Sequence, residues 1–228
     1  MSVFGDNKRY IEGARRQAEL SKEFYPDWQV RIYVDNADNF SDFDDEIIIN
    51  QVNDGTDGVF WRFLPMFENE NNIVLVRDSD GRITSRESMA VEEWLRSDKS
   101  FHTFRDHEAH YEFPIIACAF GYKGRLPEVI KNTMNDFNTK FYYTSDQVWL
   151  RDCVWPYVKN DSMVHSMIDT DTWFAQSRNK LKNKYSFCGN GFDENDMPLY
   201  AENLRENASF DLDKLDRKYK FDKGELFE

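Results

Sequence analysis

Cysteine and long apolar runs are both scarce in this 228-residue sequence. The three cysteines are odd in number, far apart and without any C-x-x-C spacing, which favours reduced thiols over a disulfide framework or a zinc site. No apolar run approaches the roughly 20 residues that span a bilayer. The first residues lack the charged-then-apolar layout of a signal peptide. We therefore expect a soluble cytoplasmic protein with no membrane partner, and nothing in the sequence points to an obligate protein partner.

Basic residues are also in deficit. The 29 Lys and Arg residues against 42 Asp and Glu leave a net charge of -13, which argues against binding nucleic acid through overall electrostatics. The exception is the window from Trp173 to Tyr185, which has four basic residues, three aromatic residues and no acid. Such a window could place cations on phosphates and stack rings on an unpaired base, or it could be an exposed segment that only aids solubility. It supplies candidates for acceptor binding: Trp173, Arg178, Lys180 and Lys182.

Strand and helix patterns alternate through the first 155 residues. The first half is expected to contain a strand at 2–4, a helix begun by Asp6 or Asn7 and ended by Pro26, strands at 30–34 and 46–49, a helical stretch at 59–67 and a strand at 73–76. A helix begun by a Thr84–Glu87 capping box and a strand at 101–104 follow. An apolar segment at 115–122 then leads to helices at 127–137 and 145–154, the last ended by Pro156. This order predicts an α/β fold with a mostly parallel central sheet flanked by helices. We expect a core at 1–170 and a C-terminal extension at 171–228 that packs on it.

Two carboxylates stand where the apolar strand at 73–76 ends. The strand continues into Arg77-Asp78-Ser79-Asp80-Gly81, and ligands of open α/β sheets bind at the carboxyl ends of strands. With strand geometry, Asp78 and Asp80 point to the same side. Paired hard oxygen ligands suit Mg²⁺ or Mn²⁺ shared with the phosphates of a nucleotide. The alternative is an ordinary turn, since Asp, Ser and Gly all favour turns.

A series of short motifs surrounds this pair and spans residues 2–166. They are Arg62-Phe63-Leu64-Pro65, Val76-Arg77-Asp78-Ser79-Asp80-Gly81-Arg82-Ile83, Arg86-Glu87, Ala90-Val91-Glu92-Glu93-Trp94-Leu95, Phe101-His102, Arg105-Asp106-His107, His110, Gly121-Tyr122-Lys123, Asp146-Gln147 and Trp155-Pro156. In this order they resemble a small GT-A type glycosyltransferase family of bacteria and phages, and the series is far more specific than any one motif. The chain departs from that family at Ala117-Cys118-Ala119, where members tend to have a glycine pair. This difference concerns the side of the site where the acceptor is expected to bind.

The resemblance implies a single Rossmann-like GT-A domain, a nucleotide-sugar donor and a Mn²⁺ or Mg²⁺ cofactor at the D-x-D motif. By this resemblance Asp78 and Asp80 contact the metal and the nucleotide, and His165 is a third, late metal ligand. Asp6 and Asn7, which follow the first strand, are further candidates for binding the nucleotide sugar.

Charge development in such a reaction calls for further residue types. The leaving diphosphate needs fixed cations as well as a metal. The candidates for this role, or for contact with the sugar, are Arg62, Arg77, Arg82 and Arg86. An inverting transfer also needs a base for the acceptor hydroxyl, and Asp146 or Asp106 are the candidates, whereas retention would shift that task to the leaving phosphate. Asp146 could instead only favour a helix N-terminus.

Histidines and one lysine complete the candidate set. His107 is expected in a loop near the sugar or acceptor, or as a structural hydrogen-bonding residue, and Lys123 is a candidate acceptor contact. A zinc site built from His102, His107 and His110 is an alternative, but their spacing lacks the paired H-x-x-x-H pattern.

These features predict a metal-dependent glycosyltransferase. The favoured acceptor is 5-hydroxymethylcytosine in phage DNA, because the residue usage is similar to that of large tailed phages and because of the window at 173–185. The protein would then work in the cytoplasm of the host. Two alternatives stay open: a transferase acting on a surface polysaccharide or lipopolysaccharide, and a nucleotide- or carbohydrate-binding module without turnover.

Overall fold

The computed structural model describes residues 1–43, 47–53, 55–107, 110, 112–138, 144–166, 175–177 and 187–199. The strands are β1 (Ser2–Val3), β2 (Val30–Val34), β3 (Ile47–Gln51), β4 (Ile73–Arg77), β5 (Phe101–Arg105), β6 (Ala119–Lys123), β7 (Ser162–Ser166) and β8 (Ala175–Ser177). The helices are α1 (Lys8–Phe24), α2 (Gly58–Trp61), α3 (Ser85–Arg96), α4 (Glu128–Asn138), α5 (Ser145–Trp149) and α6 (Trp155–Val158). None of the helices in the described part of the chain combines the length and apolarity that crossing a bilayer requires.

The strands form a mostly parallel α/β arrangement, as predicted. Strands β1, β2 and β3 pair in parallel in one sheet, and a five-stranded sheet has the order β4-β6-β5-β7-β8. In the second sheet β6 is antiparallel to both neighbours, while β7 is parallel to β5 and β8. The predicted single central sheet is therefore divided into two hydrogen-bonded sheets in the described residues.

Helix α1 links the two sheets. Asn7 caps it, accepting a hydrogen bond from the Arg9 backbone N–H at 3.0 Å, which fits the predicted start. Further along, the Gln17 side chain donates to the Asp78 carbonyl at 3.1 Å and accepts from the Ile83 N–H at 3.2 Å. The helix that follows β1 thus also holds the turn that follows β4.

The capping box at the start of α3 forms only in part. The Glu87 N–H donates to Thr84 Oγ1 at 3.2 Å, as the sequence predicts. The Glu87 carboxylate does not return to Thr84, because it accepts from Arg77 Nε at 2.7 Å and from the Tyr25 hydroxyl at 3.2 Å. The buried contact with Arg77 thus takes the place of the second bond of the capping box, and it connects α3 to β4.

Two helix boundaries differ from prediction. The stretch at 59–67 is split into α2 and a 3-10 turn, Leu64–Phe67, which has Pro65 in its first turn. Proline cannot donate a backbone hydrogen bond, so the α-helix does not continue. Pro156 does not end the last helix, because a π-turn, Leu150–Val154, leads into α6 with the proline at its start.

The largest part of the core is aromatic. Phe63 stacks on Trp149 with ring centroids 5.2 Å apart, and Phe101 stacks on Phe120 at 5.4 Å. All four side chains are fully buried. Since full burial of one large apolar side chain is worth about 2–3 kcal/mol, this cluster holds Phe63 in place and with it the backbone next to Arg62.

Candidate functional site

The described structure contains a cleft of about 980 Å³. It lies where β1 and β4 end, and it falls at the upper end of the range of small-molecule sites. Its charged lining residues are Arg9, Asp57, Arg62, Asp78, Asp80 and Asp146. The sequence predicted four of these six, and it missed Arg9 and Asp57.

Strand β4 delivers the D-x-D motif to the cleft. The Asp78 N–H donates to the Cys118 carbonyl at 3.2 Å, and the Gly81 N–H donates to the Asp78 carbonyl at 3.3 Å, which closes a turn. Helix α1 approaches this turn closely: a Cβ on Gly13 would lie 2.6 Å from the Ser79 carbonyl oxygen. Backbone bonds and a close helix contact therefore fix both carboxylates.

Two arginines connect the carboxylates of the cleft. Arg62 Nη1 donates to Asp78 Oδ1 at 2.5 Å, and Arg62 Nη2 donates to Asp146 Oδ2. Arg9 Nη2 donates to Asp80 Oδ2. Residues 62, 78 and 146, from three separate segments of the chain, thus form one charged network beside the Arg9–Asp80 pair.

The electrostatics of the cleft favour a bound cation. Burial raises the pKa of Asp80, the neighbouring Asp78 charge adds to that rise, and Arg9 opposes it. Burial likewise raises the pKa of Asp146, against the opposing charge of Arg62. Among the described residues of the lining, four are aspartates and two are arginines, so negative groups are the more numerous there.

The donor set fits a metal ion that is shared with a substrate. Asp78 and Asp80 offer hard carboxylate oxygens, and Mg²⁺ commonly binds one or two carboxylates together with phosphate oxygens. Among the residues that the structure describes, no group of three or more His, Cys, Asp or Glu side chains is placed to hold a metal ion. Asp78 and Asp80 are the two carboxylates of the motif that could hold a metal ion together with a ligand bound in the cleft.

A C-terminal segment forms one wall of the cleft, and the sequence did not predict it. Residues 187, 189, 190 and 191 line the cavity, and the Phe192 N–H donates to the Asp80 carbonyl at 2.9 Å. Gly189 has a positive φ of 90°, and a Cβ there would lie 2.7 Å from Cys118 Sγ. The Gly-Asn-Gly pattern at 189–191 was the available signal, since glycine marks places where the backbone approaches closely.

Asp106, a predicted base, lies outside the cleft. It is fully buried and accepts two hydrogen bonds from Arg86, at 2.7 Å from Nε and 2.5 Å from Nη2, and a third from the Cys188 N–H at 3.1 Å. It follows β5, two strands from β4 and so about 10 Å away by strand spacing. Asp106 and Arg86 thus form a buried pair outside the cleft lining, and their predicted roles in catalysis and donor binding stay predictions.

The other predicted cations and the N-terminal pair also lie outside the cleft lining. Arg77 donates to Glu87 and, at 2.9 Å, to the Phe120 carbonyl, which leaves it inside the fold. Arg82 pairs with Asp196 at 2.7 Å and so holds the C-terminal segment. Asp6 and Asn7 are exposed at the start of α1, next to lining residues 4 and 9.

His165 is not brought to the aspartates. Strands β6 and β5 separate it from β4, a distance of about 14 Å by strand spacing. Its Nδ1 lies 2.7 Å from His102 Nε2 and its Nε2 lies 3.3 Å from Glu93 Oε2, so both ring nitrogens are engaged inside the fold. The predicted third metal ligand is therefore not at the D-x-D motif.

The remaining histidines divide between the interior and the cleft. His102 is in the core, whereas His107 and His110 line the cleft, which separates the three histidines of the zinc alternative. His107 stacks on Phe187 with ring centroids 4.8 Å apart, in the wall of the cavity. His107 thus lies in the cleft lining, and its role near a sugar or acceptor stays a prediction.

Lys123 lies at the opposite end of the sheet from the cleft. It pairs with Ile73, the first residue of β4, and its Nζ donates to the Trp94 and Ser97 carbonyls at 2.9 and 3.0 Å. It caps the end of α3 and does not reach an acceptor in the cleft. The other predicted acceptor contacts lie outside the described residues: Trp173, Arg178, Lys180 and Lys182.

Comparison with known proteins adds no family to these observations. No protein-family model matches the chain, and no curated protein matches it. The case for a function therefore depends on the geometry of the cleft and on the motifs of the sequence.

Proposed function

We propose that the protein is a metal-dependent glycosyltransferase that moves a sugar from a nucleoside-diphosphate sugar to a hydroxyl group. One observation carries the proposal: Asp78 and Asp80 line a single cleft of about 980 Å³ together with Asp146 and two arginines. A turn that merely ended β4 would have no need of a cleft lined by carboxylates and arginines at the same place.

The metal would be Mn²⁺ or Mg²⁺, held by Asp78 and Asp80. When bound there, the ion would neutralise the negative charge that develops on the leaving diphosphate. Arg62 and Arg9 supply fixed positive charge on either side of the two carboxylates. Because these groups are partly or fully removed from water, their effect on a developing charge is larger than it would be in solution.

Asp146 is the base that we propose for the acceptor hydroxyl in an inverting transfer. It lines the cleft, whereas Asp106 does not. Its contact with Arg62 favours the ionised form, while burial raises its pKa, so the carboxylate is held closer to the range in which it can take a proton. The same arginine fixes its position relative to Asp78.

As acceptor we propose 5-hydroxymethylcytosine in DNA. Support comes from the basic and aromatic composition of residues 173–185 and from strand β8, which begins inside that window and pairs with β7 at the edge of the larger sheet. A base in duplex DNA has to be extruded, at a cost of a few kcal/mol that stacking on aromatic rings and contacts to phosphates can offset. A cytoplasmic location, where DNA and nucleotide sugars are both present, belongs to the same proposal.

Donor hydrolysis tests the reaction. The protein is incubated with Mn²⁺ and a panel of UDP-, GDP-, CMP- and dTDP-sugars, and release of the sugar is measured. We expect hydrolysis of at least one donor, its loss in Asp80→Asn, and no change in Asp27→Asn, which alters an exposed aspartate outside the cleft lining. Binding of a donor without hydrolysis would favour the non-catalytic module.

Transfer tests the acceptor. Labelled donor is offered to DNA with and without hydroxymethylcytosine, and to a lipopolysaccharide preparation. Label in the modified DNA alone supports the proposal. Label in the glycan and never in DNA would move the proposal to the surface-polysaccharide alternative.

A further inference from the structure

Both carboxylates of the D-x-D motif are already held by a guanidinium group. Asp78 Oδ1 accepts from Arg62, and Asp80 Oδ2 accepts from Arg9. The Arg62 side chain is 10% exposed and the Arg9 side chain is 27% exposed, and both line the cleft. These are charge-assisted hydrogen bonds in partly desolvated surroundings, which are stronger than ion pairs on an open surface.

A divalent cation and these arginines compete for the negative charge of the same two carboxylate groups. A metal ligated by Asp78 and Asp80 would take electron density from the oxygens on which the guanidinium groups sit, and its charge would repel both cations. Metal binding to the free protein therefore has to displace or weaken the two arginine contacts. Arg62 would keep its contact with Asp146, but each arginine would lose one charge-assisted hydrogen bond in partly desolvated surroundings, which an anionic ligand could replace.

The cleft has room for an anionic partner beside both arginines. A Cβ on Gly191 would lie 3.0 Å from Arg9 Nη2 and 3.2 Å from Asp80 Oδ2, so the glycine keeps a side chain away from this pair. Arg62 Nε is buried and has no hydrogen-bond partner among the described residues. Guanidinium groups bind phosphate oxygens through two parallel hydrogen bonds, and a diphosphate presents several such oxygens.

We propose that Arg9 and Arg62 form an exchangeable clamp, in which each arginine holds a D-x-D carboxylate in the free protein and binds the diphosphate of the donor once a divalent cation occupies those carboxylates. The proposal rests on the proposed function, because it names what two residues of the same site do there. It makes metal and nucleoside diphosphate bind cooperatively: the diphosphate receives the arginines that the metal displaces, and by linkage each ligand tightens the other by the same factor.

The clamp predicts effects of opposite sign for one substitution. Arg9→Gln removes the competitor for Asp80 and should tighten Mn²⁺ binding to the nucleotide-free protein. The same change removes a diphosphate contact and should weaken nucleotide binding in the presence of Mn²⁺. A residue that only supported the fold would weaken both or neither.

The experiment measures the two affinities separately. Mn²⁺ binding is followed by loss of the free-ion electron paramagnetic resonance signal, and binding of UDP, GDP and dTDP at saturating Mn²⁺ is followed by calorimetry. For Arg9→Gln we expect Mn²⁺ affinity to rise several-fold and nucleotide affinity to fall about ten-fold or more, the loss typical of one charge-assisted hydrogen bond. Arg9→Lys, which keeps the charge but not the fork, should lie between the wild type and Arg9→Gln for both affinities.

Arg15→Gln is the matched control. Arg15 also lies on α1 and also pairs with an aspartate, Asp42, at 2.8 Å, but outside the cleft lining. It should leave both affinities unchanged. If Arg9→Gln moves the two affinities in the same direction, or if none of the three nucleotides binds the wild type with Mn²⁺, the clamp is overturned.

Failure of the clamp is distinct from failure of the proposed function. Donor hydrolysis with parallel rather than opposite effects of Arg9→Gln would leave the transferase standing and remove the clamp. Opposite effects on Mn²⁺ and nucleotide, with no donor hydrolysed, would leave the clamp standing and remove the transferase.

Discussion

Replacing Asp106 by asparagine tests whether its carboxylate has a structural or a catalytic role. Asp106 is fully buried, and it holds Arg86 through two hydrogen bonds and the Cys188 N–H through a third. Asp106→Asn keeps the shape of the side chain but removes its charge. Arg86, whose side chain is 6% exposed, would lose the negative charge that Asp106 places beside it.

The magnitude follows from the burial of the pair. Breaking a buried ion pair by removing one partner costs about 3–5 kcal/mol. Asparagine still offers one acceptor oxygen, so we expect a loss near 3 kcal/mol. For a chain of this length that lowers the Tm by about 6–12 °C. Asp146→Asn should cost about 1 kcal/mol or less, because Arg62 keeps Asp78 as a partner.

The assay compares thermal unfolding, followed by circular dichroism, with donor hydrolysis at a temperature where both variants are folded. Asp106→Asn is expected to lose stability and to retain hydrolysis, and Asp146→Asn to retain stability and to lose transfer to an acceptor. The apolar pair Arg86→Met with Asp106→Leu should be more stable than Asp106→Asn alone, since both charges of the buried pair are removed together. A stable but inactive Asp106→Asn would refute the assignment of roles.

Two further predictions concern the turn after β4 and the acid side of the stability profile. Gly13→Ala should lower the Tm and weaken Mn²⁺ binding, because the new Cβ would lie 2.6 Å from the Ser79 carbonyl oxygen. Alanine is favoured over glycine in a helix by about 1 kcal/mol, so without this contact the substitution would raise the Tm. A raised Tm in thermal unfolding would therefore contradict the contact. Burial lowers the pKa of His110 to about 3, so the unfolded chain takes up a proton below about pH 6.5 that the folded chain refuses, and stability falls as the pH falls from 6.5 towards 3. The free energy of unfolding, measured with urea between pH 4.5 and 6.5, should rise with pH less steeply in His110→Gln than in the wild type, by about 1.4 kcal/mol per pH unit. Equal slopes in the two proteins would contradict this.

Elements with strong local signals were predictable from the sequence. The alternating residues of β2 gave its bounds, Val30–Val34, and Asn7 and Thr84 marked the starts of α1 and α3 through their side-chain caps. The D-x-D motif was placed in a cleft because strand ends carry ligand sites in α/β folds. Each of these inferences uses residues that are neighbours in the chain.

The features that the sequence did not predict depend on contacts between residues that are far apart in the chain. Arg9 is 71 positions from Asp80, and no local pattern announces their pairing. Asp106 and Asp146 are both aspartates near predicted element ends, and only tertiary packing places Asp106 beside Arg86 and Asp146 beside Arg62 in the cleft. The wall at 187–192 has the same cause, since a C-terminal segment reaches the cleft only through tertiary contacts.

Crystals grown with Mn²⁺ and the nucleoside diphosphate that stabilises the protein most would test the central claim most directly. Anomalous scattering from manganese locates the ion without assumption about its ligands. The account predicts one strong peak within coordination distance of both Asp78 and Asp80 and of a phosphate oxygen. Manganese bound elsewhere, or no ion while both aspartates keep their arginine contacts beside bound nucleotide, would contradict it.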